Sequence, residues 1–363
     1  MAQKENIDKS AKIPVGVISR TPWEIMVIKL KKNKAAMASL YLLTVMYFMA
    51  IFAGFFAPYG EDHQNRDISF HSPNFSNIHL FDEQGNFHRP FVYGVKIIDS
   101  TQKIYGEDTS ARYPIQFFVK NDNLADRYQI LWLFHSNVHF FGVDSPGKLF
   151  LFGSDQFGRD IFSRIIYGSQ ISLSVGIIGI LISMSIAMLI GGIAGYYGGT
   201  TDFILMRIVE VILTIPGLYM ILTLRNAFGD LESTQSYFII VIILAFIGWA
   251  SNSRVIRGMV LSLKSQDYVV AAQALGYSKI QIIIRDILPN TFSYVIVTAT
   301  LYVPYYILGE VALSFLGVGI QEPSASWGNM LSSAQNIRYL TDYSWIMIPG
   351  FFIFIAVLAF NFF

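Results

Sequence analysis

The sequence predicts an all-α polytopic membrane protein of six spans, with a small β-rich domain inserted between the first and second. Three observations carry this. Of 363 residues, 53% are hydrophobic and only 14% charged, whereas soluble domains carry about 25% charged residues; the mean hydropathy is +0.46. Six stretches approach the roughly 20 apolar residues that a span requires. Residues 60–168, between the first two stretches, hold thirteen Asp/Glu against ten Lys/Arg, a net charge of −3, and are soluble in character. The chain therefore divides into an N-terminal segment (1–34), span one (35–57), the insert (60–150), and a core (151–363) with spans two to six and a loop at 254–290.

The first span is read at Ala35–Ala57 and the second at Ile171–Tyr197, ending in "GGIAG". The third, Phe203–Leu224, is interrupted by Pro216 and flanked or entered by Arg207, Glu210 and Arg225. The fourth is Tyr237–Ala250, the fifth Thr291–Leu308 with Pro304 inside, and the sixth Trp345–Phe363. Pro216 and Pro304 are expected to kink their helices, with neighbouring helices or water satisfying the freed carbonyls. Gly191–Gly195 and Gly195–Gly199 are small-xxx-small spacings that let helix backbones approach. Glu310, near one end of span five, is either a functional intramembrane acid or a capped, water-facing one.

Lys and Arg in short loops set orientation. Eight precede span one, including "KLKKNK", and five lie between spans four and five: Arg254, Arg257, Lys264, Lys279 and Arg285. Only Arg225 lies between spans three and four, and only Arg338 between five and six. Both termini and the loop after span four are then expected in the cytoplasm. Arg254 and Arg257 read first as positive-inside anchors. A net charge of +1 argues against nucleic acid as a partner. There is no cysteine, which removes disulfide and thiolate chemistry. The N-terminus lacks an apolar h-region, so no cleaved signal peptide is expected.

Within the insert, "FVYGVKI" (91–97), "YPIQFFVK" (113–120) and "YQILWLFHSNVHFFGV" (128–143) are rich in aromatic and β-branched residues and separated by Asn, Asp, Gly and Pro, the pattern of strands and turns. All six histidines lie here: His63, His71, His79, His88, His135 and His139. The i, i+4 spacing of His135 and His139 would place both on one face of a helix or strand and invites a metal. No cysteine or tight carboxylate cluster completes such a site, so ordinary surface or core histidines are the favoured reading. "GVDSPGKL" (142–149) has the Gly-x4-Gly-Lys spacing of a phosphate-binding loop, but Leu149 stands where Mg²⁺ binding requires Ser or Thr. We read it as a turn, which leaves the chain without an ATP site of its own.

The stretch "DYVVAAQALGYSKIQIIIRDILPN" (267–290) separates spans four and five. "DYVVAAQALG" is a helix with small residues Ala271, Ala272 and Ala274, and Gly276 permits the left-handed conformation that ends a helix. "SKIQIIIRDILPN" forms a second amphipathic helix, with Ser278 as N-cap and Pro289-Asn290 closing it before span five. Two short basic helices with a sharp bend suit either docking in a partner's groove or resting on lipid headgroups.

This stretch resembles the signature loop of ABC-importer permeases, Glu-Ala-Ala-x3-Gly followed by Ile-x-Leu-Pro or a close variant. It reads here Val270-Ala271-Ala272, Gly276 and Ile287-Leu288-Pro289. "FGSDQFGRDIFSRIIYGSQISLSVG" (152–176), "GGIAGYYGGTTDFILMRIVEV" (191–211), "SRVIRGMVLSLKSQDY" (253–268), "GEVALSFLGVGIQEPSASWGNML" (309–331), "PGFFIFIAVLAFNFF" (349–363) and "TPWEIMVIKLKKNKAAMASLYLL" (21–43) are similar to the C-type permeases of oligopeptide and dipeptide importers. The resemblance covers 21–57 and 150–363. It implies the type I ABC importer permease fold in the bacterial inner membrane and no enzymatic activity. The implied partners are a B-type permease, two ATP-binding subunits that carry ATP and Mg²⁺, and an extracytoplasmic peptide-binding protein. The chain itself would bind no cofactor. The ATPase-coupling residues would be Tyr268, Val270, Ala271, Ala272, Leu275, Gly276, Tyr277, Ser278, Lys279, Leu288 and Pro289. Glu310, Gln321, Pro323 and Trp327 would form a gate or contact the binding protein. The loop 317–331 around them is either an ordered contact surface or a re-entrant cap over the pore. The aromatic insert is expected to dock on the binding protein or the partner permease. The implied cargo is an oligopeptide or dipeptide, with a nickel chelate, an opine or a peptide antibiotic as alternatives. The sequence departs from the family in Val270, where Glu is usual, in the long insert, and in ending at Phe363 where relatives carry a short tail. An intramembrane enzyme is disfavoured, since there is no HExxH and every histidine lies in the insert. A self-sufficient channel is disfavoured by the few polar residues near span midpoints.

Overall fold

The computed structural model describes residues 22–120, 128–130, 134–229 and 232–363. Most of the N-terminal segment and the Leu-Trp-Leu of the third aromatic run therefore lie outside the described residues. Helix α1 (Pro22–Lys32) leads to α2 (Lys34–Ile51), capped by Asn33, and α3 (Ala53–Phe56) prolongs it. The insert follows with β1 (His79–Phe81), β2 (Phe87–Asp99), β3 (Ile104–Pro114), β4 (Gln116–Lys120), β5 (Tyr128–Ile130), β6 (Phe134–Ser136) and β7 (Val138–Gly142). The helical core comprises α4 (Ile161–Tyr197), α5 (Gly199–Thr214), α6 (Gly217–Ala227), α7 (Ser233–Leu263), α8 (Asp267–Ala274), α9 (Lys279–Gln281), α10 (Phe292–Phe315), α11 (Trp327–Ser332), α12 (Ile337–Asp342) and α13 (Ile348–Phe362).

Among the described residues, five helical segments are long and apolar enough to cross a membrane, and a sixth forms if α5 and α6 count as one broken span. Five of the six expected spans are thus matched by length and composition, and the third is matched where the bent α5–α6 pair counts as one. Their limits differ from the hydropathy reading because hydropathy registers only the apolar middle of a helix. Helix α4 starts ten residues before Ile171 and spans 37 residues, about 55 Å at 1.5 Å per residue. Helix α7 continues beyond Ala250 to Leu263, with Ile256 and Val260 buried on one face of the extension. Span three bends by 91° between α5 and α6, where Pro216 cannot continue the ladder. Pro304 does not break its helix: α10 runs through it to Phe315.

Helix α4 is the central post. Buried small residues recur along it at Gly168, Ser172, Gly176, Gly179, Ser183, Ala187, Gly191 and Gly195. A Cβ on Gly191 would lie 2.6 Å from the Ser253 carbonyl oxygen, and one on Gly195 2.8 Å from that of Arg257. The backbones of α4 and α7 thus pack as the small-xxx-small spacing requires. On another side, Gly176 faces Val303 and Ile307, and Gly179 faces Tyr306 of α10. Gly199 plays no such part: nothing lies within 4 Å of its Cβ position, and its φ of +55° serves the turn from α4 into α5.

The insert is built of small antiparallel sheets in the orders β1-β2-β3, β4-β7 and β5-β6. Phe91, Val92 and Tyr93 of β2 are buried. The insert is fastened to the core through Tyr59, whose backbone N–H donates to Ser163 Oγ (3.2 Å) and whose hydroxyl accepts from Leu149 N–H (2.9 Å). Phe70 stacks on Tyr343 at 4.1 Å and 9°. His135 and His139 lie on different strands, β6 and β7, so the shared face expected from their spacing does not form. His139 is buried with Nδ1 2.6 Å from the Ala57 carbonyl oxygen. Among the described residues no group of three metal-ligating side chains occurs. Gly147 N–H closes on the Asp144 carbonyl (2.9 Å), so the Gly-x4-Gly-Lys match is a turn.

Overpacking costs about 1–3 kcal/mol in a close-packed interior. Gly191→Ala is expected to lower the thermal unfolding midpoint of the detergent-purified chain. Gly258→Ala, whose Cβ would meet nothing within 4 Å, is expected to leave it unchanged or raise it.

Candidate functional site

Two constellations sit at opposite ends of α4. At the end reached by Tyr196 and Tyr197, the chain leaves α7, forms α8, reverses and returns into α10. Tyr277 N–H donates to the Ala272 carbonyl (3.2 Å) and Gly276 N–H to that of Gln273 (3.0 Å). Those two bonds, with φ of +81° at Gly276, constitute a Schellman motif. Ser278 then caps α9 in a reciprocal capping box with Gln281. Both halves of the bend follow from local chemistry, glycine for the left-handed residue and Ser-x-x-Gln for the cap.

The expected closure at Pro289-Asn290 does not occur. After α9 the helix widens to a π-turn over Ile282–Ile287, tightens to a 3₁₀ turn over Leu288–Thr291, and enters α10. Leu288 N–H donates back to Ile283, so the register shift absorbs the donor that Pro289 lacks. Lys279–Phe315 is thus one continuous helical segment of 37 residues.

This bent knob presents two faces. Val269, Ala272, Ile282, Ile283, Ile287 and Leu288 are buried against the core. Tyr268, Val270, Leu275, Tyr277, Ile280 and Ile284 are exposed, Leu275 by 73%. Ala271, Ala274, Ser278, Lys279 and Pro289 are also exposed. The coupling residues expected from the sequence are thus brought together on one projection, with Ala272 and Leu288 beneath it as support. Polar ties hold the base. Gln273 Nε2 donates to Tyr196 OH (3.3 Å), Lys264 Nζ to the Gly195 carbonyl (3.2 Å), and Asn290 Nδ2 to Tyr268 OH (3.3 Å). Lys279 Nζ lies 5.3 Å from the centre of the Tyr197 ring. Arg257 pairs with Asp202 of α5 through two bonds. An exposed cleft of about 640 Å³ is lined by Tyr196, Tyr197, Lys264, Gln273 and Tyr277.

At the other end of α4, the loop 317–326 folds over the helix start. Glu310 is fully buried and water does not reach it. It accepts from Ser172 Oγ (2.9 Å) and Ser314 Oγ (2.7 Å). Ser172 Oγ in turn accepts from Trp327 N–H (3.2 Å) and Ser314 Oγ from Ile320 N–H (3.0 Å). Trp327 is also fully buried, its Nε1–H donating to the Ile165 carbonyl (3.0 Å). Both residues therefore sit inside the chain, beneath the loop. Pro323 is exposed and Gln321 half-buried, the latter donating to the Gly317 carbonyl (3.0 Å).

Sequence reasoning missed the clamp that holds this loop. Glu322 pairs with both Arg159 and Arg164, and Arg159 Nε also bonds Asp155 Oδ2 (2.7 Å). The side chains of Arg159 and Arg164 are only 4% and 1% exposed. Burial works against the Arg159 charge, but Glu322 and Asp155 outweigh it and hold the guanidinium above its ordinary range. Burial raises the Glu61 carboxyl, and the Ala325 N–H it accepts and Arg164 partly offset this. The available signal was the cost of burying charge: "SDQFGRDIFSR" opens a span with four charged residues that need partners.

A cleft of about 520 Å³ opens where span three breaks, lined by Ile212, Ile215, Gly217, Ser251, Tyr302 and Tyr305. It faces out of the chain between α5, α6, α7 and α10.

Residues 187–363 match the sequence family described as the binding-protein-dependent transport system inner membrane component. Residues 21–73 match the N-terminal TM domain of oligopeptide transport permease C. The chain is 37% identical over 229 residues to the oligopeptide transport system permease protein OppC of Bacillus subtilis, covering 62% of this chain and 73% of that protein. The chain belongs to this permease family. It is also 42% identical over 211 residues to the dipeptide transport system permease protein DppC of Bacillus subtilis, covering 58% of this chain and 64% of the relative. With the OppC of Haemophilus influenzae the identity is 41% over 212 residues, covering 58% and 66%. The alignments thus span just under two thirds of the latter two relatives. In this permease, residues 74–186 lie outside both family matches. They include most of the insert and three of the four charged residues of the clamp.

Severing a buried pair costs about 3–5 kcal/mol, and the 46% exposure of the Glu322 side chain reduces this to about 1–3 kcal/mol. Glu322→Ala and Arg159→Ala are each expected to destabilise the purified permease. The double variant should fall short of their sum by about 1–2 kcal/mol in a double-mutant cycle of thermal unfolding.

Proposed function

We propose that this chain is the C-type permease subunit of an ATP-driven importer. Its cargo would be oligopeptides or dipeptides handed over by an extracytoplasmic binding protein. The observation that carries the proposal is the α8–Gly276–α9 knob, exposed and apolar on its outer face and continuous with a membrane-crossing helix on the other. The knob is the surface on which an ATP-binding subunit docks. Two such subunits carry ATP and Mg²⁺. A B-type permease supplies the second half of the pathway and closes the cleft at the break in span three. The chain performs no covalent chemistry.

The geometry supports a lever. Residues 279–315 form one helical segment, so displacement of the knob by a closing ATPase pair moves α10 as a body. At its far end α10 carries Glu310 and Ser314, hydrogen-bonded to α4 and to the loop over it. A differential preference of the ATPase for two knob positions then biases the spans between inward-open and outward-open states. Gln321 and Pro323, on the outside of the same loop, are the contact points for the binding protein. Glu310 and Trp327 position that loop from beneath. The knob end faces the cytoplasm with both termini, and the insert end faces the binding protein. This follows from the basic residues at 254–285 and before span one.

Val270 replaces the acid usual in the family and is 52% exposed. It joins Leu275 and Ile280 in an apolar docking face, so this permease engages its ATPase by shape and burial. Leu275→Asp is expected to leave the thermal stability of the isolated chain unchanged. It should weaken co-purification with the ATP-binding subunits by at least about tenfold, the effect of losing a buried hot-spot side chain. Gly276→Pro, which forbids the φ of +81°, is expected to abolish transport and binding-protein-stimulated ATP hydrolysis in the assembled complex. Normally coupled uptake by that variant would overturn the assignment.

A further inference from the structure

The insert carries an aromatic edge that continues the outer surface of span one. Helix α2 buries Ala36, Ser39, Leu43, Met46 and Ala50 against the core, an i, i+3/i+4 stripe. Its other side leaves Tyr41, Val45, Phe48 and Ile51 exposed. From Phe48 the rings form a chain: Phe48 to Phe52 (4.9 Å) and Phe56 (5.8 Å), Phe55 and Phe56 to Phe140 of β7 (5.7 and 5.8 Å), and Phe55 to Phe118 of β4 (6.1 Å). Phe117 closes on Phe140 at 5.6 Å. The β4–β7 ribbon thus abuts the end of the span and extends its apolar face.

Two features of the ribbon are not explained by folding alone. Phe117 and Phe118 are adjacent on one strand, yet they are 64% and 63% exposed. Phe118 has φ of +57°, a conformation that costs a bulky residue of order 1–3 kcal/mol and here turns a phenyl ring outward. An exposed pair of large apolar rings held in this way marks an interaction surface.

Its depth identifies the occupant. Lys34 opens α2 after Lys29, Lys31 and Lys32, and Phe56 stands 22 residues further along α2 and α3. At 1.5 Å per residue this is about 33 Å, close to the ~30 Å thickness of the hydrocarbon core. With the lysines at one boundary, Phe55, Phe56 and the rings of β4 and β7 fall at the other, where aromatic side chains form membrane-interface belts. Exposed Lys120 ends β4 and can reach phosphate oxygens from an apolar stem.

We propose that Phe117 and Phe118 insert into the lipid headgroup boundary beside span one. The β4–β7 ribbon is then a membrane anchor for the insert, at the end of the bundle opposite the knob. The three-stranded sheet, which exposes Phe81 and Phe87 by 59% and 71%, stays in water and remains free for a protein partner. This rests on the membrane-spanning reading of α2, which the test checks separately.

The chain has no cysteine, so single-site spin labelling applies directly. The full chain, reconstituted in bilayer nanodiscs, is labelled in turn as Phe48→Cys, Phe81→Cys, Phe117→Cys and Phe118→Cys. Collision with oxygen is compared with collision with an aqueous nickel chelate. Labels at positions 117 and 118 are expected to match the lipid pattern at 48, shifted toward the boundary, while 81 reads as water. If 48 reads as lipid while 117 and 118 read as water, the anchor is refuted and the spanning reading stands. Protection of 117 and 118 from both reagents, in the isolated chain or on adding the other importer subunits, would equally overturn it in favour of a protein contact. If 48 itself reads as water, span one is wrong and the anchor falls with it.

Discussion

The close approach of α4 to its neighbours is the constraint on which the rest of the structure depends. Without water, apolar surface gains nothing by leaving lipid for another apolar surface, so helix association relies on packing and interhelical hydrogen bonds. Gly191 and Gly195 bring α7 to backbone contact, and Gly176 and Gly179 leave room for the Val303, Ile307 and Tyr306 side chains of α10. The knob is suspended between these two helices. Its position relative to the far end of the bundle is therefore set by α4, and any side chain added to that face would displace the knob's two supports.

The two ends of α4 use different chemistry for the same purpose. At the knob end, apolar burial of Val269, Ile282, Ile283 and Ile287 dominates, supplemented by polar ties at the base such as Gln273 to Tyr196 and Arg257 to Asp202. At the insert end, Arg159 and Arg164 are held by directional bonds to Glu322 and Asp155, and the loop cannot shift without unpairing buried charge. The serines around Glu310 lie between the two regimes. They hold a carboxyl inside the bundle at the point where α10, α4 and the loop meet, so movement of α10 must either carry the loop with it or break those bonds.

Local chemistry was legible in the sequence, and long-range pairing was not. Gly276 and Ser278 specify the bend through rules that operate within six residues, and Gly191 and Gly195 specify packing through spacing alone. Pro216 breaks its helix as expected. Pro289 does not close its helix, because a π-to-3₁₀ register shift that no local rule anticipates absorbs it, and α10 continues through Pro304. The start of α4 at Ile161 was hidden by the polar residues of its first turns, which hydropathy counts as loop. The clamp joins residues more than 150 positions apart without periodicity, and only the expense of burying arginine hints that a partner exists. Glu310 was visible as an acid in a span, but its burial depends on Ser172 and Ser314, on two helices that meet only in the fold.

If the knob docks an ATP-binding subunit as proposed, its chemistry bears on how such a surface can change while its role persists. A docking acid contributes electrostatic attraction that is screened by salt and requires a matching cation on the partner. An exposed valine in its place would remove both needs and add apolar area to a knob that also exposes Leu275 and Ile280. The surface then depends on shape, and shape is fixed here by the Schellman bend and the capping box, neither of which involves position 270. The backbone conformation of the knob is thus independent of the side chain at position 270. An ATPase that has lost the complementary cation could still be engaged, provided that its groove accommodates the exposed apolar side chains of the knob, Val270, Leu275 and Ile280 among them.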